Sequence, residues 1–448
     1  MRHQQFQRAL LHARFELDRF ESALSRLEAH QFPSDVAKTL IRAQKQASQK
    51  AEEALSVIEE DYADDQSGAS KRLISEYRKL MSRRRYLEVL EKARSDEVPW
   101  SLVPSVERLA EQILPQRPVL MTTTPDMNYM VSWSRSADHP VVTIYLPKLH
   151  RANAFLHVLV GHELFHPIIE SFLPTEKAII TPRLRDECNQ SLKAVEGEPD
   201  LFSQKRLDAL LSYALEAWER GVTELMCDMG AASLFGPAAL WTISGFAASQ
   251  DLDTPPSQEN QFYPAWRLRV QVVLDYIFEV DSAEKHLEWL YDALKKAGLD
   301  AHREAIRNGL LEEKQICDSG PQSSIPSNSL IAKVYEHVFE SMERAKTFIQ
   351  KATEDVTDRW ANTYREVPDL LKRLALLVPP SELIESGKQV SQAAAMSAIV
   401  LACWFERLAL EAREPLDLIR YKRLCRLMLK AIEDAEMKRQ FTEWSRSI

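Results

Sequence analysis

One stretch of the sequence, from Ala154 to His166, constrains the fold more than any other. It reads AFLHVLVGHELFH, and its first half is apolar on every side of a predicted helix. A helix that is apolar all round is buried in the core of a domain. The sequence therefore predicts a central helix that carries the two histidines and the glutamate of its last five residues into the protein interior.

His162, Glu163 and His166 form the pattern His-Glu-x-x-His. Residues four apart lie on one face of an α-helix, so both imidazoles can point to one ion. Zinc accepts imidazole nitrogens, and a catalytic zinc site has three protein ligands and a fourth position for water. Glu163 adjoins the first histidine, where its carboxylate could take a proton from that water. The alternative is a buried helix whose histidines only find hydrogen-bond partners.

Glu224 and Asp228 are the best candidates to complete this site, in the segment from Glu219 to Pro237. They too lie four apart, so one carboxylate could bind the metal while the other accepts the free ring N–H of a ligand histidine. Residues 230–232 (Gly-Ala-Ala) are small enough for the close approach of another helix. Four other acidic residues remain open as the third ligand: Glu170, Asp186, Glu216 and Glu219.

With both segments identified, the sequence resembles the gluzincin class of zinc peptidases, whose His-Glu-x-x-His helix is completed by a Glu-x-x-x-Asp helix. It is also similar to large, uncharacterised helical bacterial proteins that carry His-Glu-x-x-His. The resemblance covers roughly Val141 to Pro237, less than a quarter of the chain. The resemblance implies that His162, His166 and Glu224 bind the metal. It also implies that Glu163 is the general base and that Asp228 accepts a hydrogen bond from a ligand histidine.

Three more residues bear on the site. Pro167 directly follows the second histidine, which predicts that the helix ends or kinks there. Cys227 lies in the turn between the two acidic candidates and could approach the metal, or it could be an inert buried thiol. Tyr263 precedes another predicted helix, where its phenol could donate to a developing oxyanion or could simply be packed.

The composition predicts a mainly α fold with a small β-sheet. Only 11 Gly are present, while good helix formers are abundant. Clear β character is confined to the segment from Pro99 to His150, with three predicted strands: Val119–Thr122, Tyr129–Trp133 and Val141–Leu146. We therefore expect an α+β zincin-like core flanked by helical domains. The last of the three strands could be an edge that binds an extended peptide, or the sheet could be purely structural.

We predict three domains. Residues 1–96 form an N-terminal helical bundle, residues 97–281 the zincin-like catalytic core, and residues 282–448 a C-terminal helical domain with a linker or mobile loop near 318–329. The first helix has a coiled-coil-like seam with alternating spacings of four and three: Phe6, Leu10, Ala13, Leu17, Phe20, Leu24 and Leu27.

Two neighbouring segments of the predicted bundle carry opposite charges. Ala51–Asp65 has seven acids and no base, whereas Lys71–Arg94 has nine bases and three acids. Opposite charges on adjacent antiparallel helices can satisfy each other. A docking surface for an acidic partner is the alternative.

Net charge and hydropathy bear on which partners and which cellular location the sequence predicts. The net charge of −9 argues against a general nucleic-acid binder. A regulator that binds nucleic acid through the basic segment Lys71–Arg94 is a third possible function. The N-terminal residues form a charged amphipathic helix without the apolar core of a signal peptide, and the apolar run Ala393–Phe405 is too short to cross a bilayer. The five cysteines are scattered, which is typical of reduced thiols. We therefore expect a cytoplasmic protein without a membrane partner.

These features together predict a zinc-dependent metallopeptidase that hydrolyses peptide bonds of a protein or peptide substrate. Zn²⁺ is the expected cofactor, with Glu163 and Tyr263 as catalytic residues. The helical flanking domains would control access or bind a regulatory protein partner. The alternative function is a helical interaction scaffold with a structural or catalytically inactive zinc site.

Overall fold

The computed structural model describes the chain except for residues 1–2, 101, 116, 134–140, 197–202, 249, 280, 320–328, 355–359, 385–390 and 448. The structure is 76% helical, and its described residues form 15 α-helices and two small sheets, which confirms the predicted fold class. Most of the predicted linker, residues 320–328, lies outside the described residues. Among the described helices, none combines the length and the apolar character that a membrane span needs.

The chain forms two compact units. The first consists of residues 1–107 and 116–151, and the second of residues 108–115 and 152–448. The domain boundaries predicted near residues 96 and 281 do not coincide with these limits, and they stay predictions. Both segments that carry the predicted metal ligands belong to the second unit.

Three long helices dominate the first unit: α1 (His3–Glu28), α2 (Asp35–Asp61) and α3 (Gln66–Lys92). Every residue of the predicted α1 seam is buried, which confirms that this face packs in the core of the bundle. The hydroxyl of Ser34 accepts a hydrogen bond from the backbone N–H of Val36 at 3.1 Å and so caps α2.

Charged side chains join the three helices of the bundle, as their composition predicts. Arg72 on α3 pairs with Asp61 at the end of α2 at 2.9 Å. Arg84 on α3 pairs instead with the buried Glu16 of α1, also at 2.9 Å. Part of the basic charge of α3 is therefore satisfied within the bundle.

The sheet of the first unit contains the three predicted strands: β1 (Val119–Thr124), β2 (Met130–Trp133) and β3 (Val142–Pro147). β3 pairs in parallel with β1 and antiparallel with β2, so it is the central strand. The prediction that Val141–Leu146 is an edge strand is therefore wrong. Its backbone groups already bond to a neighbour on each side, and no row of free groups remains for an added peptide.

The second unit is helical apart from one small sheet. Helix α4 (Val103–Ile113) begins in residues of the first unit and ends in residues of the second. The 3-10 helix Ala154–Val158 lies at the start of the longer segment of the second unit, residues 152–448. The remaining helices are α5 (Leu159–Ile169), α6 (Leu173–Glu196), α7 (Ser203–Phe235), α8 (Pro237–Ala247), α9 (Trp266–Glu279), α10 (Asp281–Lys296), α11 (Asp300–Asp318), α12 (Leu330–Ala352), α13 (Trp360–Ala375), α14 (Met396–Glu411) and α15 (Leu418–Ser447).

Two strands interrupt the C-terminal helices. They are β4 (Glu382–Ile384) and β5 (Ser391–Ala393), which pair antiparallel between α13 and α14. The sequence analysis predicted a helical domain for residues 282–448 and did not identify these two strands. Three-residue strands are too short to show the alternating pattern by which a strand is recognised.

Helix α5 carries the His-Glu-x-x-His motif and is buried along nearly its whole length, as predicted. It does not end at His166, because Pro167 lies inside it and the helix continues to Ile169. Proline lacks the N–H that would bond to the carbonyl of Glu163, but its fixed φ is compatible with a helix. The helix therefore passes the proline and ends within one further turn.

The C-terminal helices hold the segment that precedes α5. The ring of Phe155 contacts Trp404 of α14 edge to face, with centroids 4.9 Å apart. The hydroxyl of Tyr421 on α15 donates a 2.6 Å hydrogen bond to the side chain of Asn153. The entry into the motif helix is thus fixed by residues from the last part of the chain.

Helices α5 and α7 approach each other at two glycines. A Cβ atom on Gly230 of α7 would lie 2.2 Å from Cγ of Phe165 on α5, and one on Gly161 of α5 would lie 2.9 Å from the ring of Phe235 on α7. Neither distance is sterically possible without movement. The small residues predicted at 230–232 therefore do permit close helix packing.

We expect Gly230→Ala to destabilise the protein by about 1–3 kcal/mol, because the added methyl group overpacks the contact with Phe165. The matched control is Gly245→Ala in α8, where no atom lies within 4 Å of the added Cβ. That change should be neutral or stabilise by about 0.5–1 kcal/mol, since alanine favours a helix more than glycine does. Urea unfolding followed by circular dichroism measures both. Equal midpoints for the two variants would contradict the packing argument.

Candidate metal centre

Helix α5 places the three motif residues together. The rings of His162 and His166 lie on one face, with centroids 5.0 Å apart and planes inclined by 76°. Oε2 of Glu163 is 3.8 Å from Nε2 of His166. His162 and Glu163 are both buried, and His166 is partly exposed. The two imidazoles and the carboxylate therefore share one small, mostly dry volume.

Helix α7 places two carboxylates against His162. Its Nδ1 donates a 2.8 Å hydrogen bond to Oδ1 of Asp228, and its Nε2 lies 3.4 Å from Oε2 of Glu224. A carboxylate at Nδ1 selects the tautomer with the proton on that nitrogen. Nε2 is then the nitrogen that faces Glu224 and is available to a cation.

Helix α9 contributes Arg269, which the sequence analysis did not identify. Its Nε and Nη2 donate to the two oxygens of Asp228 at 2.7 and 2.8 Å, and its Nη1 lies 3.5 Å from Oε2 of Glu224. The guanidinium also stacks on Trp266 at 4.4 Å. One sequence signal could have revealed it, because Arg269 shares a helical face with the buried residue Val273.

The opposite charges of His162, Arg269 and the two carboxylates stabilise the charged form of each group. Burial lowers the pKa of His162, but the hydrogen bond to Asp228 and the contact with Glu224 outweigh it and raise the pKa to about 10. Burial raises the pKa of Glu224, but His162 and Arg269 outweigh it and hold this pKa well below its ordinary value. The pKa of Asp228 is also lowered, because Arg269 outweighs burial. Two carboxylates are thus buried with two cations.

Burial is the main cause of the pKa shifts of the other two motif residues, Glu163 and His166. Loss of solvent raises the pKa of Glu163 to about 7. Loss of solvent, reinforced by the charge of His162, lowers the pKa of His166 to about 4. His166 is therefore neutral near pH 7, and a neutral imidazole has the lone pair that a metal requires.

Cys227 lies beside both histidines. Its Sγ and one ring nitrogen each of His162 and His166 lie within 4.8 Å of one another. Burial raises the pKa of the Cys227 thiol well above its ordinary value. The thiol is therefore protonated unless a cation binds it. Of the two possibilities that the sequence left open, the structure places this residue where it can reach a metal.

Tyr263 lies in the loop before α9, and 38% of its surface is exposed. Its ring lies under the guanidinium of Arg220 at 4.9 Å, and Nη1 of Arg220 is 3.4 Å from Oε1 of Glu224. Burial and the charge of Glu224 raise the pKa of Tyr263, so its hydroxyl stays protonated at neutral pH. Tyr263 is thus a partly exposed phenol that contacts Arg220, the neighbour of Glu224.

The backbone before Tyr263 is held in an unfavourable conformation. Gln261 and Phe262 have φ of 55° and 59°, which costs residues other than glycine about 1–3 kcal/mol each. The side chain of Phe262 is fully buried and contacts the ring of Tyr213 at 4.8 Å. Packing of Phe262 therefore offsets the cost and fixes the turn that presents Tyr263.

The remaining acidic candidates are less suitable as ligands. Asp186 and Glu216 are exposed, and Glu170, which directly follows the last residue of α5, is partly exposed. Glu219 pairs with Lys177 at 2.9 Å, and nearly half of each side chain is exposed. Glu224, buried against His162, is therefore the best-placed carboxylate of the five.

No family model matches the chain, and comparisons with curated proteins and with solved structures give no match either. The similarity to gluzincins consequently rests on the motif residues themselves. What the site can do has to be argued from its own geometry.

We expect Arg269→Met to lower the free energy of unfolding by about 3–5 kcal/mol, because it leaves two buried carboxylates without their partner. The control is Arg183→Met, which removes the exposed pair with Glu340 and should cost about 1 kcal/mol or less. Chemical denaturation of both variants gives the comparison. A loss for Arg269→Met no larger than that for Arg183→Met would show that the buried network contributes little.

Proposed function

We propose that the protein is a zinc-dependent metallopeptidase. The observation that carries this proposal is the position of His162 between Asp228 and Glu224. Its Nδ1 is occupied by a hydrogen bond, its Nε2 faces a carboxylate, and its ring centroid lies 5.0 Å from that of the second motif histidine. This arrangement supports the proposal because it leaves Nε2 as the nitrogen that a cation could bind.

The residues fit zinc chemically. Two imidazole nitrogens and the carboxylate of Glu224 are ligand types that zinc accepts, and His166 is neutral at physiological pH. In the proposed site His162, His166 and Glu224 hold the ion. Zinc bound there would polarise a scissile carbonyl and lower the pKa of a water molecule.

The chain's own residues would then do the following work. Arg269 fixes Asp228, and Asp228 fixes the ring of His162. Glu163 takes a proton from the attacking water and delivers it to the leaving amine. A base with a pKa near 7 can perform both transfers at neutral pH.

Tyr263 has a separate role in the proposal. Its protonated hydroxyl would donate a hydrogen bond to the oxyanion that develops on the substrate carbonyl. The exposed side of the ring is where a substrate can reach it. A protein or peptide substrate, and regulation by a partner that binds the helical regions, complete the proposal.

A second candidate function is a helical scaffold with a structural zinc ion. Cys227 is the observation that favours it, because a fourth protein ligand would leave no position for water. Metal content alone does not separate the two candidate functions. A measurement of peptide-bond hydrolysis does separate them.

We expect about one zinc per chain in the purified protein and none in His162→Ala or His166→Ala, because each change removes a ligand. Glu224→Ala should lower zinc occupancy. The matched control, Glu219→Ala, should retain the wild-type content, because Glu219 pairs with Lys177 at the surface. Elemental analysis after dialysis against trace zinc gives the values. Full occupancy in both histidine variants would rule out the site.

Glu163→Gln tests turnover. Glutamine preserves the shape of the side chain and cannot act as a base, so zinc content and thermal stability should be unchanged. Hydrolysis should fall by at least the about 10²–10⁴-fold that general-base catalysis contributes. The measurement is the appearance of new N-termini in a proteome-derived peptide mixture incubated with each purified protein.

The outcomes of this experiment are distinct. Termini produced by the wild type alone support the peptidase and report its specificity. Equal production by both proteins contradicts the role of Glu163. No new termini with either protein, at full zinc occupancy, contradict an open catalytic position in the purified protein and favour a site closed to water, as in the scaffold.

A further inference from the structure

Cys227 lies in the metal centre, although the proposed chemistry gives it no role. We propose that Cys227 binds the same ion as a thiolate and closes the position that the attacking water needs, so that the peptidase has a latent form. This inference rests on the metal site of the proposed function. It adds a fourth ligand and a means of regulation to that site.

The position of Cys227 on α7 supports direct binding. It follows Glu224 by three residues, so both side chains project from one side of α7 toward α5. Its Sγ is within 4.8 Å of a ring nitrogen of each motif histidine. A sulfur and a nitrogen on one tetrahedral zinc lie about 3.5 Å apart, given bonds of about 2.3 and 2.0–2.1 Å. A shift of about 1 Å is therefore sufficient.

Burial alone does not account for this placement. Cys188 and Cys403 are as completely buried as Cys227. Among the described residues, the group of potential metal ligands within 4.8 Å of one another consists of His162, His166 and Cys227, and it contains neither of the other two thiols nor Glu224. Cys227 thus differs from the packed thiols of the same chain in its neighbours.

The chemistry of closure is a ligand exchange. The thiol releases its proton to solvent, the sulfur bonds to the ion, and a water molecule leaves. His162, His166, Glu224 and Cys227 then provide four protein ligands, which is the number found in closed structural zinc sites. Glu163 would have no adjacent water from which to take a proton. Release of the thiolate would restore the open position.

Cobalt(II) absorption spectroscopy on the full-length chain tests the ligand. The metal-free wild type loaded with one equivalent of cobalt(II) should show a thiolate-to-cobalt charge-transfer band in the near ultraviolet. Cys227→Ala should bind cobalt and lose the band. The matched control, Cys403→Ala, removes an equally buried thiol and should keep it. Cobalt bound by the wild type without the band overturns the inference and leaves the proposed metal site standing.

A second measurement needs no variant. X-ray absorption of the zinc-loaded wild type should show one sulfur at about 2.3 Å together with nitrogen and oxygen at about 2.0–2.1 Å. Zinc surrounded by nitrogen and oxygen alone overturns the inference. A wild type that binds neither zinc nor cobalt overturns the proposed function as well.

Acetohydroxamate tests closure of the water position. It should change the visible spectrum of cobalt in Cys227→Ala, where a position is open, and leave the spectrum of the wild type unchanged. Cys403→Ala should behave as the wild type does. An equal response from the wild type and Cys227→Ala would show that the thiolate does not close the site.

Discussion

The structure of the candidate metal centre depends on the buried carboxylate of Asp228. This group lies on α7, accepts hydrogen bonds from Arg269 on α9, and accepts another from His162 on α5. A carboxylate without solvent is stable only when its oxygens are paired in this way. The three helices therefore cannot shift independently without leaving a buried charge unpaired. The orientation of His162 follows from a constraint of folding, and the proposed chemistry makes use of that orientation.

Close packing of the helix backbones makes these bonds possible. Gly230 and Gly161 let α5 and α7 approach to a distance that larger residues at these positions would prevent. Helix α12 fixes α7 from another side, because Trp218 donates a 3.2 Å hydrogen bond to the hydroxyl of Ser341. The residues after position 281 therefore support the site helices within one compact unit. Their contribution is to hold α7 where its carboxylates meet His162.

Sequence reasoning succeeded where a pattern is local and failed where a contact is long-range. The α1 seam, the three strands and the small residues before Phe235 follow from spacing and side-chain size, and the structure confirms them. The central position of β3 depends on pairing between distant segments, so it was missed. The partnership of Arg269 with Asp228 spans 41 positions and leaves only the weak signal of a charged residue on an apolar face. The helix does not end at Pro167, since α5 continues to Ile169, and the kink that the sequence offered as the other possibility stays a prediction.

The two buried carboxylates of the candidate centre are balanced by two positive charges, and the proposed metal-bound state would keep this balance. Asp228 and Glu224 carry two negative charges, and Arg269 supplies one compensating cation. The second cation is protonated His162, whose pKa Asp228 and Glu224 raise to about 10, and in the proposed metal-bound state it would be a zinc ion at Nε2 of the same ring. In the proposed site, a proton and a zinc ion would compete for that nitrogen, because loss of both would leave a buried carboxylate unpaired. Protonated His162 thus keeps the two carboxylates paired in this structure, and a zinc ion would replace that proton.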